Sequence, residues 1–445
     1  MRETDVLIIG GGPAGLIAAG TARKNNPDKE IALVRKYAEC VVPCGLPYIF
    51  NRLDAVEKDK MSDKAYEANK VDIIIGEAIS IDTNNKKVVL GDKERISYDK
   101  LILAIGSRSV AIPIKGVEIS GVYQIRKDIS YLKELRDAVV KAKNIVIIGG
   151  GFIGVELAEE LSAMEDKNIS LVEILDHCLI GAFDKEFALA GEEKIKEKGV
   201  KLHLQTTVKE ITGKDKVEAV KFSNGEQIPA DLVIISVGAK PAVKLAENAE
   251  IKVAEKGGIL TDEFMRTNVP DVFAAGDCAE TRNFFTGKSN LIMLASVACY
   301  EARIAGANLY RDERDMIKNE GTIAAFSTYL NGLVLGAVGL TEKTAAQENI
   351  TAIAGASEAP NHHPGTLPGT ETIKVKLVFE KASKILVGGQ VAGPESVAEM
   401  INLIAVAVQQ KITARELANL QVATHPLITA PPTAYPIIKA AEEIL

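Results

Sequence analysis

The stretch Val6-Leu7-Ile8-Ile9-Gly10-Gly11-Gly12-Pro13-Ala14-Gly15 places a short aliphatic run directly before a glycine-rich turn and an alanine-rich segment. An apolar run without polar alternation is the pattern of a parallel strand covered on both faces. Glycines at 10, 12 and 15 then fit G-x-G-x-x-G. The first permits the tight turn, the second lets a pyrophosphate approach the backbone, and the third lets helix and strand pack closely. The helix N-terminus that follows attracts phosphate. A tight strand-to-helix turn alone would also produce this pattern, but the whole unit recurs. Residues 145–148 form a second aliphatic run, Gly149-Gly150-Gly151-Phe152-Ile153-Gly154 follows, and a helix is expected through Leu161. Residues 31–34 and 171–174 read as the second strand of each unit. Two complete strand–loop–helix–strand units predict an α/β protein with two Rossmann-like dinucleotide-binding domains.

Three further aliphatic runs reach a glycine: 101–107 (LILAIGS), 232–240 (LVIISVGAK) and 272–278 (VFAAGDC). The first two would close one nucleotide unit each, with Ala104, Gly106 and Gly238 as cofactor contacts. Beyond Gly321 no nucleotide loop occurs. β-rich stretches at 373–379 and 385–391 precede an amphipathic helix at 397–410, which reads as an α+β domain. No low-complexity linker separates the parts.

Hydrophobic residues make up 47% and charged residues 25% of the 445-residue chain, the profile of a soluble globular protein. Trp is absent, so aliphatic side chains must build the core. A formal net charge of −7 gives no global field attracting nucleic acid or anionic membranes. No apolar run reaches the ~18 residues needed to cross a bilayer. The N-terminus lacks a signal-peptide profile. These features predict a cytoplasmic protein with neither nucleic-acid nor membrane partners. Five cysteines are too few for a disulfide framework in a chain this long. In a reducing compartment, a close pair or an activated single cysteine points to catalysis.

Glu173 ends the second strand of the second unit, about 20 residues after its loop. An acid there accepts hydrogen bonds from an adenosine ribose 2′-hydroxyl and repels a 2′-phosphate, which favours NADH over NADPH. The equivalent position in the first unit is Arg35, followed by Lys36. Either the adenosine ribose is held otherwise there or these cations face solvent.

The 10–15 loop, Cys44-Gly45-Leu46-Pro47-Tyr48, the 149–154 loop and Gly276-Asp277 stand in the order seen in class I pyridine nucleotide–disulfide oxidoreductases. The chain resembles that family over nearly its whole length. It is most similar to the single-redox-cysteine branch of NADH oxidases, NADH peroxidases, coenzyme A-disulfide reductases and polysulfide reductases. Residues 332–342 (GLVLGAVGLTE) resemble the start of the family's dimerisation domain. The resemblance implies FAD bound by residues 1–115 with 250–320, NAD(H) bound by 116–249, and a homodimer formed through 321–445. It implies that Asp277 holds the ribityl–pyrophosphate region and that Pro13, Ala14, Pro43 and Ile153 are further cofactor contacts. Phe152 would be an aromatic gate at the nicotinamide pocket or simply a packed ring. Glu156 would be the acid near the flavin N5 edge or an ordinary helix-surface carboxylate.

The resemblance also puts the Cys44 sulfur beside the flavin. Thiolate is the nucleophile, so a cysteine near pKa ~8.5 must be shifted to act at neutral pH. Cys44 follows Pro43 and is expected to enter a helix. Cys40 lies four positions earlier, a spacing unlike that of the two-cysteine members. It either pairs with Cys44 or stands by as a bystander or resolving thiol, and Cys44 acting alone is preferred. Cys178, Cys278 and Cys299 read as small packed hydrophobes. His425 precedes Pro426, where two-cysteine relatives place a histidine that crosses the dimer interface, and its imidazole suits proton exchange with thiols. A satisfied interface histidine is the competing reading. His363 is a second candidate, although an exposed loop is preferred for it and His362. His177 and His203 read as structural or exposed. No metal-ligand spacing is evident.

The resulting expectation is hydride passing from NADH through FAD to Cys44. The final acceptor is a disulfide, polysulfide or coenzyme A disulfide, with oxygen nearly level and peroxide as a third option. An alternative from another class is a reductase that feeds a small redox protein such as rubredoxin and leaves Cys44 idle.

Overall fold

A computed structural model describes residues 2–445. The chain divides into two compact units. One comprises the residues through Ala111 together with Ile125–Asp137 and Gly238–Thr322. The other comprises Ile112–Gln124, Ala138–Val237 and Ile323–Leu445.

The first unit is built on a seven-stranded sheet. Its order is Asp72–Ile75, Ile31–Arg35, Arg2–Ile9, Arg95–Leu103, Lys87–Leu90, Ala78–Asp82, with Val272–Ala274 pairing the end of Arg95–Leu103. Val6, Leu7 and Ile8 are fully buried, as a parallel strand covered on both faces requires. Each such aliphatic side chain contributes roughly 1.5–3 kcal/mol of burial. Strand order reverses beside Arg2–Ile9, whose parallel neighbours are Ile31–Arg35 on one side and Arg95–Leu103 on the other. Ligands bind at the carboxyl ends of strands at such a switch point. The helices Pro13–Asn25 and Ala295–Asn308 pack closely through small residues: a Cβ on Gly306 would lie 2.7 Å from the Ala18 carbonyl oxygen.

The second unit holds a five-stranded, all-parallel sheet. Its order is Lys201–His203, Asn168–Val172, Asn144–Ile148, Leu232–Ile235, Val122–Gln124. It therefore repeats the same switch point. The same unit contains a five-stranded antiparallel sheet ordered Phe326–Leu330, Leu333–Gly339, Leu386–Gly393, Thr372–Glu380, Ala352–Pro360. The helix Met400–Gln409 packs on it.

Two of the runs expected to be strands ending at a glycine stop shortly before it. The ladder of Arg95–Leu103 stops before Gly106, whose φ of +70° turns the chain. Gly238, at φ +98°, does the same after Leu232–Ile235. The residues beyond each turn, Ser107–Ser109 and Ala239–Pro241, pair with one another instead. The expected helix at 397–410 starts at Met400, after a separate 3₁₀ turn at Glu395–Val397.

Candidate active site

The glycines of both loops sort into two kinds. Gly10 has φ +120°, and a Cβ on it would lie 2.0 Å from the Ala104 carbonyl oxygen. A Cβ on Gly15 would lie 1.8 Å from the Gly10 oxygen. Protein atoms therefore demand these two glycines. No atom lies within 4 Å of a Cβ placed on Gly12. The second loop repeats this: Gly149 would clash with Ser236 at 2.7 Å and Gly154 with Gly149 at 1.8 Å, while Gly151 faces open space. Gly106 and Gly238 also border open space. Each loop is thus a cradle whose middle glycine leaves room for something other than protein, and two dinucleotides fit these two cradles. Pro13 occupies the first helical turn, where its missing N–H costs nothing.

Around the first cradle the structure gathers distant segments. A Cβ on Gly276 would come within 2.9 Å of the Ala14 Cβ. The Asp277 carboxylate accepts a hydrogen bond from the Ser107 hydroxyl at 2.7 Å, and the Lys127 ammonium stands 3.5 Å away. Arg35 does not face solvent. It is 5% exposed and bound to Asp63 through both guanidinium arms, at 2.6 and 2.8 Å. Its Cδ backs onto Gly11, where a Cβ would approach to 2.8 Å. The Asp63 pairing holds the Arg35 pKa above its ordinary value. Lys36 does face solvent, paired with Glu77 at 3.0 Å.

Cys44 is exposed, at the second position of a 3₁₀ turn, Pro43–Ile49. The expected helix is this short, tight turn, because Pro47 lacks the N–H that a longer helix needs. The five cysteines form no disulfide. Cys40 lies against the glycine loop: a Cβ on Gly11 would approach its sulfur to 3.2 Å. Burial pushes the Cys40 thiol above its usual pKa, which suits a packed rather than a reactive sulfur. Cys178 and Cys278 are buried, and burial pushes each thiol up to about 12. The carboxyl of Asp59 packs on Gly45, beside Cys44, where a Cβ would meet its Oδ1 at 1.8 Å. Asp59 is 4% exposed, and burial pushes it up to about 6.

In the second unit, Glu173 is buried. It accepts the Gly150 N–H at 2.6 Å and the Leu175 N–H at 2.8 Å. It therefore shapes the loop. Ile153, at the helix start, is exposed. Phe152 stacks on Phe326 with centroids 5.3 Å apart and tilts against Phe183 at 6.0 Å. Glu156 accepts a hydrogen bond from the Thr328 hydroxyl at 2.8 Å. Burial pushes the Glu156 carboxyl up to about 7, helped by Glu159 and Glu160 and opposed by that hydrogen bond. It is not an ordinary surface carboxylate.

His425 is exposed, and its Nδ1 accepts the Leu427 N–H at 3.2 Å. That contact leaves Nε2 as the proton-bearing nitrogen. His363 lies on the same loop cluster: its N–H donates to the Pro426 oxygen at 2.9 Å and its Nδ1 meets the Thr429 oxygen at 3.2 Å. It is partly buried rather than a free loop residue. His203 packs on Phe222 and His177 on Glu192, as structural residues do. Among the described residues no group of three or more His, Cys, Asp or Glu is placed to hold a metal. No helix among them is long and apolar enough to cross a membrane.

Residues 4–302 match the family model described as pyridine nucleotide-disulphide oxidoreductase, and residues 326–435 match that family's dimerisation domain. The chain belongs to this family. It is an FAD-dependent oxidoreductase that uses a pyridine nucleotide. An NADH oxidase of Methanocaldococcus jannaschii is 31% identical over 99% of this chain and 98% of its own length. An NAD(P)H coenzyme A polysulfide/persulfide reductase of Pyrococcus horikoshii is 34% identical over 88% and 87% of the respective chains. Among solved structures, an NAD-dependent persulfide reductase from A. fulgidus superposes with a TM-score of 0.90 at 30% identity, over 99% of this chain and 82% of that one.

Several partners of the candidate site residues are not legible in the sequence. Ser107 lies 170 residues from Asp277, and Thr328 lies 172 from Glu156. No local pattern links such pairs. Asp63 had one usable signal: a cation at position 35 inside a buried strand needs a carboxylate partner.

Proposed function

We infer that this oxidoreductase carries reducing equivalents from NADH through FAD to Cys44 and on to a sulfur–sulfur bond, in a polysulfide, a persulfide or coenzyme A disulfide. The carrying observation is an exposed cysteine heading a tight turn in the unit that holds the first cradle. Relatives named as persulfide and polysulfide reductases support that acceptor. Those named NADH oxidase support oxygen as a second one. On this reading residues 1–115 with 250–320 hold FAD, 116–249 hold NADH, and 321–445 form a homodimer.

The Cys44 thiolate attacks one sulfur of the acceptor. The sulfur–sulfur bond breaks, the other sulfur leaves as a thiolate, and a mixed disulfide forms on Cys44. FAD, when bound, supplies the two electrons drawn from NADH that cleave this mixed disulfide. The balance is one NADH, one proton and one disulfide giving NAD⁺ and two thiols. His425, contributed across the dimer, donates a hydrogen bond from its Nε2–H to the leaving thiolate, which takes its proton from solvent. The exposed apolar side chains beside it, Leu427 and Ile428, suit a surface covered by a second subunit. Thiol chemistry of this kind suits a reducing compartment, which favours the cytoplasm.

His425→Gln is expected to lower turnover with polysulfide by about 10²-fold while flavin reduction by NADH keeps its rate. Stopped-flow absorbance and steady-state assays separate the two half-reactions, and equal losses in both would make the residue structural. Glu173→Ala should narrow the NADH-over-NADPH preference by about tenfold, since a ribose acceptor and a repulsive charge both vanish. An unchanged kcat/KM ratio for the two nucleotides would remove that assignment. The acceptor itself is tested by steady-state rates of NADH oxidation with oxygen, peroxide, coenzyme A disulfide and polysulfide. The sulfur acceptors are expected to give the highest kcat/KM; a higher value with oxygen would make the chain an oxidase.

A further inference from the structure

Glu301 is an ionisable group of the flavin unit that the scheme above does not use. It sits on the helix Ala295–Asn308 and is 1% exposed. Its Oε2 accepts the N–H of Gly276 at 2.9 Å. Gly276 has φ +78° and is wedged between two helices: a Cβ there would come within 2.9 Å of the Ala14 Cβ and 3.3 Å of the Ala298 Cβ. The turn therefore has no slack toward the glycine-loop helix or toward the Glu301 helix. The next residue is Asp277, already oriented by Ser107 at 2.7 Å.

We propose that Glu301 is a positioning residue whose buried carboxyl fixes the Gly276–Asp277 turn in the shape that presents Asp277 to FAD. The proposal rests on reading the first cradle as the FAD site. Nothing in the sequence marks it, because an acid in the middle of an alanine-rich helix reads as a surface residue.

Burial pushes the Glu301 carboxyl from 4.5 up to about 8, with the Gly276 N–H opposing the shift and Asp277 adding to it. Burial therefore favours its neutral acid form. The ionisable groups that face it are Asp277 and the Cys278 thiol from the turn and Tyr300 on its own helix, with Lys127 reaching Asp277. Ionisation puts a second negative charge beside Asp277 in a dry site, and moving the turn relieves it. Because the folded value exceeds the unfolded one, the stabilising contribution is complete below about 4.5. It is lost as pH rises through about 8.

The test is FAD retention, read as the flavin-to-protein absorbance ratio and the apparent Kd for FAD between about pH 6 and pH 10. Wild-type holoenzyme is expected to lose affinity above about pH 8, by up to about tenfold per pH unit. Glu301→Gln keeps a neutral acceptor for the Gly276 N–H, so its affinity should match wild type at pH 6 and stay flat. Glu301→Leu leaves that N–H unpaired and should bind FAD weakly at every pH. Superimposable pH profiles for wild type and Glu301→Gln would overturn the proposal, as would Glu301→Leu binding FAD like wild type. If Glu301→Leu does not fold, the Glu301→Gln profile decides alone. A wild-type protein that takes up no FAD at any pH would instead refute the cradle assignment.

Discussion

Cys44→Ser is expected to abolish sulfur-acceptor turnover, by about 10³-fold or more, while NADH still bleaches the bound flavin. A serine hydroxyl is a far weaker nucleophile than a thiolate and cannot form the mixed disulfide on which the cycle turns. The short turn Pro43–Ile49 keeps the sulfur exposed to an incoming acceptor, and a serine hydroxyl is close to a thiol in size and shape. The variant should therefore fold and hold FAD. Anaerobic NADH titration is expected to show that enzyme with an oxidised Cys44 accepts about two more electrons per subunit than Cys44→Ser. Equal electron uptake together with undiminished turnover would mean that the cysteine is idle and that electrons leave the flavin directly. Loss of sulfur turnover with retained oxygen consumption would place oxygen reduction at the flavin and sulfur reduction at Cys44.

The second large effect separates two glycines of one loop. Gly12→Val should yield a folded but colourless protein, with FAD affinity lowered at least about 100-fold, or about 2.7 kcal/mol. No protein atom lies within 4 Å of the new Cβ, so the chain folds without objection and the side chain occupies the cradle. Gly10→Val should instead fail to accumulate. Its Cβ would press to 2.0 Å on the Ala104 oxygen, and φ +120° is closed to a β-branched residue. The Ala104 backbone cannot retreat, because its N–H is bonded to the Ile9 oxygen at 2.8 Å at the end of the central ladder. Gly151→Val gives the matching result in the second unit: a yellow protein whose flavin NADH no longer reduces. Absorbance spectra and circular dichroism of the purified variants check all three. A yellow Gly12→Val would refute the assignment of the first loop to FAD.

Much of the architecture is legible along the chain. Strand, glycine turn and helix follow one another within about thirty residues in a dinucleotide unit, so their pattern is local, and it occurs twice. The α+β character of the last part was also readable from its alternation. Two strands expected to end at a glycine stop shortly before it, and sequence does not reveal what the chain does beyond the turn. Gly106 and Gly238 each turn the chain, and the pieces beyond them pair with one another. The helix expected at Cys44 became a 3₁₀ turn because Pro47 withholds an N–H.

From sequence alone came two nucleotide units and the family, and with them the proposals of Cys44 as the redox cysteine and Glu173 as the ribose acid, because each is written in residues close together along the chain. Tertiary structure alone decided that Arg35 is buried against Asp63, that Glu156 is held by Thr328, and that Ser107 and Glu301 set the Asp277 turn. Those pairs join segments far apart in the chain. Burial moves the protons of Glu156 and Glu301, and burial exists only once the chain has closed around them.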